Sequence, residues 1–176
     1  NSKGIQFLFK KNKIDHIPGF AKLKKGGKVE VTDDKGKKTD YEAKHTIIAT
    51  GGRSRELPNL KIDGKKILGY REAMVLQEKP KRLLVVGSGA IGVEFAYFYN
   101  AIGTEVTIVE FLPRIVPVED EEVSKALEKS FKKSGMKIHT NSEVTHVDTK
   151  GKACVATVKT PGGEIKIECD VCLLYT

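Results

Sequence analysis

The sequence predicts an α/β protein: a parallel sheet carrying a three-stranded antiparallel meander, preceded by part of a second antiparallel sheet. Three observations carry that prediction. Leu83-Leu84-Val85-Val86 and Val106-Thr107-Ile108-Val109 are short apolar, β-branched-rich runs separated by a glycine-rich turn and an amphipathic stretch. Such runs suit strands covered on both faces, joined by a crossover helix. Between Glu143 and Glu168, and again between Ile14 and Ala49, the pattern changes to period two, broken by turn residues, as antiparallel strands require.

The elements follow in order. Asn1 to about Lys13 places Ile5, Leu8 and Phe9 on one side and ends in lysines, so it reads as the tail of a helix. Lys28-Val29-Glu30-Val31-Thr32 alternates cleanly between turns at Lys25-Gly26-Gly27 and Asp34-Lys35-Gly36, giving a small antiparallel sheet. Thr46-Ile47-Ile48-Ala49 reads as an apolar strand running into Thr50-Gly51-Gly52. Arg53 to Gly69, with Pro58 and Gly64, is polar and reads as a crossover between two domains, and a short helix around Arg71 to Gln77 stops at Pro80. After the first buried strand and the glycine turn, a helix uses Ile91, Phe95, Ala96 and Tyr99 and closes at Gly103.

A loop with Pro113 and Pro117 leads to a helix from about Asp120 to Ser134. Glu121 and Glu122 in its first turn and Lys132 and Lys133 in its last match the helix dipole, and Gly135 follows its end. Its expected buried stripe is Val123, Ala126, Leu127 and Phe131. Met136 to His139 forms a third strand. The meander is Glu143 to Val147, Cys154 to Lys159 and Glu164 to Glu168, with turns at Lys150-Gly151 and Pro161-Gly162-Gly163. The final apolar run, Val171 to Tyr175, has nothing after Thr176 and reads as a core strand cut short, so the chain is expected to be a fragment. The expected division is residues 1–66, a first segment with its crossover, and 67–176, a nucleotide-binding domain.

Composition narrows the classes. A content of 39% hydrophobic and 31% charged residues suits a soluble globular protein, and the apolar stretches are too short to span a bilayer. The net charge of +8 comes mostly from lysines scattered through turns. Aromatic residues do not interleave with them as a stacking platform would, so nucleic acid is not expected as a partner. Three cysteines, an odd number, suggest a reducing compartment without a disulfide framework.

Gly87-Ser88-Gly89-Ala90-Ile91-Gly92 matches G-x-G-x-x-G, a weak pattern in isolation. Here it follows a buried strand and opens a helix, and Glu110 ends the next strand at close to the roughly 20-residue separation that a Rossmann-like dinucleotide site requires. Gly87 permits the tight turn, Gly89 lets a pyrophosphate approach the main chain, and Gly92 lets helix and strand pack closely. The helix N-terminus then offers unpaired N–H groups to the phosphates. A carboxylate at position 110 accepts hydrogen bonds from the adenosine ribose and repels a 2′-phosphate, which favours NAD(H) over NADP(H). Arg114 is the nearby cation that would argue the other way.

On these residues, Arg82 through Glu110 resembles the NAD-binding segment of the dihydrolipoamide dehydrogenases, within the flavin-dependent pyridine nucleotide–disulfide oxidoreductase family. Phe111-Leu112-Pro113-Arg114-Ile115-Val116-Pro117, the Ala49-Thr50-Gly51 turn and Asp170 to Thr176 extend the resemblance along essentially the whole chain. The resemblance implies that Gly87, Ser88, Gly89, Ala90, Ile91, Gly92, Val93 and Glu94 line the NAD pyrophosphate and nicotinamide approach, with Glu110 on the ribose and Val144 against adenine. It implies that Gly19, Thr50, Gly51 and Gly52 face FAD in part of a flavin domain. It further implies a homodimeric parent enzyme that serves the lipoyl domains of 2-oxo acid dehydrogenase complexes, passing electrons from dithiol to FAD to NAD⁺, in cytoplasm or mitochondrial matrix. The family's FAD glycine fingerprint, redox cysteine pair and dimerisation domain with its histidine have no match here. The chain is therefore expected to bind NAD(H) without turnover, and no catalytic residue is assigned.

The remaining chemistry-bearing residues are read blandly. Cys169-Asp170-Val171-Cys172 is placed in a strand, where positions three apart point to opposite faces, so these thiols and Cys154 are expected to be packing residues. His16, His45, His139 and His146 lack partners at motif spacing, and no metal site is expected. Two other functions stay open: another NAD(H)-dependent flavin reductase or oxidase, and a non-catalytic NAD-binding module.

Overall fold

The computed structural model describes residues 2–52, 54 and 56–174. It divides into two compact units, Asn1–Gly51 and Gly52–Thr176. In the first, helix α1 (Ser2–Lys11) precedes an antiparallel sheet of β1 (Phe20–Leu23), β2 (Lys28–Thr32) and β3 (Lys38–Glu42), in that order. The β2–β3 turn forms because the Asp33 carboxylate accepts the N–H groups of Lys35 and Lys37 at 2.9 and 2.8 Å, an Asx-type closure. The expected strand at Thr46–Ala49 is not formed. A strand needs a paired neighbour to satisfy its backbone, no described strand pairs with this run, and Ile47 is 91% exposed.

The second unit begins with the crossover, then β4 (Ile67–Leu68) and α2 (Tyr70–Ala73), shorter than the expected helix. It continues through β5 (Arg82–Val86), α3 (Ala90–Ala101), β6 (Glu105–Val109), α4 (Glu121–Lys133) and β7 (Lys137–His139). The meander strands β8 (Glu143–Asp148), β9 (Cys154–Thr160) and β10 (Gly163–Cys169) follow, and β11 (Val171–Leu174) returns to the main sheet. The parallel sheet has the order β4-β11-β5-β6-β7, and the meander pairs as β10-β9-β8. The predicted fold class is therefore the observed one.

Period two explains why the strand runs are continuously apolar. Leu83 and Val85 pack with Val106, Ile108 and Leu173 against Val93, Ala96 and Tyr99 of α3 and Phe131 of α4. Leu84 and Val86 pack with Val109, Cys172 and Leu174 against Val147, Ala156 and Val158 of the meander. The sheet is thus covered by helices on one face and by the meander on the other. The crossover, expected to go with residues 1–66, packs on this second unit: Leu60 is buried in the meander-side core, with Leu57 and Ile62 against it.

Helix α4 is capped by Asp120, whose side chain accepts the Glu122 N–H at 2.8 Å. Its buried stripe differs from the expected one. Val123 and Ala126 are exposed, while Ser124 and Phe131 are buried and Leu127 is half-buried. Ser124 tolerates burial because its hydroxyl donates to the Val116 carbonyl at 3.3 Å. The two cysteines of the C-x-x-C also depart from expectation. The chain turns at Asp170 from β10 into β11, so Cys169 and Cys172 enter the same meander-side core, where Cys154 pairs across from Cys169.

Candidate functional site

Strands β5 and β6 are paired in parallel with Val86 opposite Val109, so Gly87 and Glu110 emerge side by side at the carboxyl edge of the sheet. The Gly87 N–H closes that edge on the Val109 carbonyl at 2.9 Å. In open α/β sheets this edge is where ligands bind. Here it borders a cavity of about 890 Å³ lined by Gly87, Ser88 and Gly89 of the turn, Glu110 to Leu112 after β6, Ser142 to Val144, Pro117, and Leu57 to Asn59 of the crossover.

The three motif glycines have three separate reasons. Gly87 has φ +93°, a conformation that a side chain resists. A Cβ at Gly92 would lie 2.2 Å from the Gly87 carbonyl oxygen, so the helix can approach the turn only without one. Gly89, the N-cap of α3, has φ −65°, and a Cβ there would meet no protein atom within 4 Å. Its missing side chain therefore serves open space beside an N-terminus that no side chain caps. That is the cradle a phosphate group would fill.

Glu110 is 6% exposed and held by three donors. Its Oε2 accepts the Ser88 N–H at 2.8 Å and the Ser88 hydroxyl at 2.6 Å, and its Oε1 accepts the Leu112 N–H at 2.8 Å. The backbone on either side is fixed too: the Glu110 N–H donates to the His139 carbonyl, and the Ser142 N–H to the Glu110 carbonyl. The loop after β6 folds back over the turn, with the Val116 N–H donating to the Ser88 carbonyl at 2.9 Å and Ile115 fully buried. Arg114 does not line the cavity; its Nη2 donates to the Pro117 carbonyl at 3.1 Å. No cation therefore lines the cavity beside Glu110 among the described residues.

The expected residues do not all gather. Gly87, Ser88, Gly89, Glu110 and Val144 meet at the cavity, with Val144 also part of the core. Ala90, Ile91, Gly92, Val93 and Glu94 lie in the first turns of α3 but do not line it. Val93 packs into the helix-side core and Glu94 is exposed. Gly19, Thr50 and Gly51 lie in the first unit. Gly19 has a packing reason to be glycine, since a Cβ would lie 2.6 Å from the Thr32 carbonyl oxygen. Thr50 and Gly51 are exposed, and Gly52 borders a separate cavity of about 470 Å³ near Tyr70. Tyr175 and Thr176 lie outside the described residues.

Sequence reasoning missed Leu57, Pro58, Asn59, Leu112 and Ser142. Asn59 brings the crossover to the site by donating its side-chain amide to the Val144 and Thr145 carbonyls at 3.2 and 2.9 Å. No local pattern marks such a long-range tether.

The thiols are buried packing groups. Burial pushes Cys169 up to about 12 and raises Cys154 and Cys172 as well, which keeps all three in the poorly nucleophilic thiol form. Burial, then the nearby Lys137, lowers the pKa of His139, while His16, His45 and His146 are exposed. Among the described residues no group of His, Cys, Asp and Glu could hold a metal ion, and no helix is long and apolar enough to cross a membrane.

Residues 1–176 match the family described as pyridine nucleotide-disulphide oxidoreductase. Dihydrolipoyl dehydrogenase of Rhizobium etli is 45% identical over 93% of this chain and 37% of its own length. The mitochondrial dihydrolipoyl dehydrogenase of Pisum sativum is 42% identical over 98% of this chain and 35% of its own length. Leghemoglobin reductase of Glycine max is 41% identical over 98% and 34%. The chain thus spans little more than a third of these relatives. Among solved structures, LpdA of Mycobacterium tuberculosis superposes with a TM-score of 0.83 at 29% identity, covering 98% of this chain and 38% of that one.

Proposed function

Because this chain belongs to the pyridine nucleotide-disulphide oxidoreductase family, we propose that residues 67–176 are the NAD(H)-binding segment of a flavin-dependent dihydrolipoyl dehydrogenase, with residues 1–66 the end of its first flavin-domain segment and the crossover. Members of this family use FAD and NAD(H). The observation that carries the nucleotide assignment is the buried Glu110 carboxylate lining the same cavity as Gly89 at the start of α3, with Arg114 turned to Pro117.

In this reading the N–H groups at the start of α3 receive the pyrophosphate where Gly89 leaves room. Glu110 accepts a ribose hydroxyl, and Val144 and Leu112 offer apolar surface to adenine. Glu94 stands toward the nicotinamide, and Gly19, Thr50, Gly51 and Gly52 toward FAD. The cofactors supply the electron chemistry from dithiol to FAD to NAD⁺, and these residues bind and orient. The whole enzyme would act as a homodimer on lipoyl domains of 2-oxo acid dehydrogenase complexes, in cytoplasm or mitochondrial matrix. A second reading keeps the nucleotide site and changes the electron acceptor, and the leghemoglobin reductase relative at 41% identity favours it.

Calorimetric titration of the 176-residue chain with NADH and NADPH tests the assignment. NADH should bind at least about tenfold more tightly, the effect of roughly one lost hydrogen bond to a charged group plus repulsion. Equal or tighter binding of NADPH would overturn it.

A further inference from the structure

Glu110 is held by the protein's own donors, and the division of its bonds is unequal. A carboxylate offers about four acceptor directions. Oε2 uses two of them on the N–H and hydroxyl of Ser88, whereas Oε1 uses one on the Leu112 N–H. Oε1 therefore keeps an acceptor direction on a residue that borders the cavity. Ser88 is fully buried, and its hydroxyl has the Glu110 carboxylate as its partner.

We propose that Ser88 is a positioning residue that sets nucleotide selectivity, pinning Oε2 of Glu110 so that Oε1 is the atom that reads the adenosine 2′-hydroxyl. This rests on the reading of the cavity as an NAD(H) site and adds the device that makes its carboxylate rigid. The hydroxyl donates a short bond to a buried charged group, the strong class of hydrogen bond. Held by it, the carboxylate cannot swing aside to admit a 2′-phosphate or to follow a misplaced ribose. Without it, Glu110 keeps one backbone donor on each oxygen but loses the shortest of its three bonds, so Oε2 is held less firmly. Preorganisation is weakened while the charge remains.

The test is a cycle on the full 176-residue chain, with NAD⁺ and 2′-deoxy-NAD⁺ titrated into wild type and Ser88→Ala. Wild type should prefer NAD⁺ about tenfold, the worth of one hydrogen bond to a charged group. In S88A that preference should shrink to about twofold, and NADPH should lose less affinity than NAD⁺. Ser88→Gly removes the hydroxyl with no added bulk and keeps the N–H, so it reads the same quantity should S88A fold poorly. A wild-type preference near one would show that Glu110 does not read the ribose, and the site reading would fall with the proposal. A tenfold preference retained in a folded S88A or S88G would overturn the role of Ser88 and leave the site reading standing.

Discussion

A single methyl group placed at either of two glycines separates what the turn needs for folding from what it needs for binding. At Gly92 it would meet the Gly87 carbonyl oxygen at 2.2 Å, a backbone atom that cannot yield cheaply. Gly92→Ala should cost about 1–3 kcal/mol or more in urea unfolding. At Gly89 the same methyl meets no protein atom within 4 Å, at an ordinary φ of −65°. Gly89→Ala should stay within about 0.5 kcal/mol of wild type yet weaken NADH markedly by filling the phosphate space. A G89A chain as unstable as G92A, or one that binds NADH normally, would contradict this. These glycines were legible in the sequence because their demands are local. The bond from Ser88 to Glu110 was not, because it joins residues 22 apart through the pairing of two strands.

At the level of elements, helix α4 shows where pattern reading fails. Apolar spacing selected Val123 and Ala126 as buried, but the helix is rotated so that Ser124 faces inward with its hydroxyl satisfied by Val116. Val123→Lys should therefore change stability by less than about 0.5 kcal/mol, whereas Phe131→Ala should cost about 3–5 kcal/mol; chemical denaturation of both variants decides it. The start of β5 carries a pH dependence. Burial raises the pKa of Asp170, but bonds from the Arg82 and Lys81 N–H groups and the Arg82 guanidinium outweigh it and hold the carboxyl below its ordinary value. A depressed folded-state pKa contributes stability that is present above the unfolded value and lost as pH falls through the folded one. Melting temperatures should thus fall below about pH 4, and Asp170→Asn should make that acid limb shallower. An unchanged limb would assign the acid loss to other carboxylates.

For the molecule as a whole, the sequence revealed the second unit far better than the first. Buried parallel strands write their two-sided burial as apolar runs, and β5, β6 and β11 were readable for that reason. The Thr46–Ala49 run has the same composition but no described partner strand, so composition misled there. In the first unit Val31 is the hydrophobic residue buried among those described, while Phe7, Phe20 and Ile47 are exposed. Hydrogen exchange should accordingly be far faster in β1–β3 than in β5, β6 and β11; comparable protection in the two sheets would contradict that. If the carboxyl edge of the second unit's sheet receives the adenosine end of NAD(H), a crystal structure of the chain grown with NAD⁺ will display it there. A ribose oxygen should lie within hydrogen-bond distance, about 2.6–3.2 Å, of the Glu110 carboxylate, with the pyrophosphate on the N–H groups beside Gly89. A nucleotide bound at another edge, or with its adenosine turned away from Glu110, would contradict it.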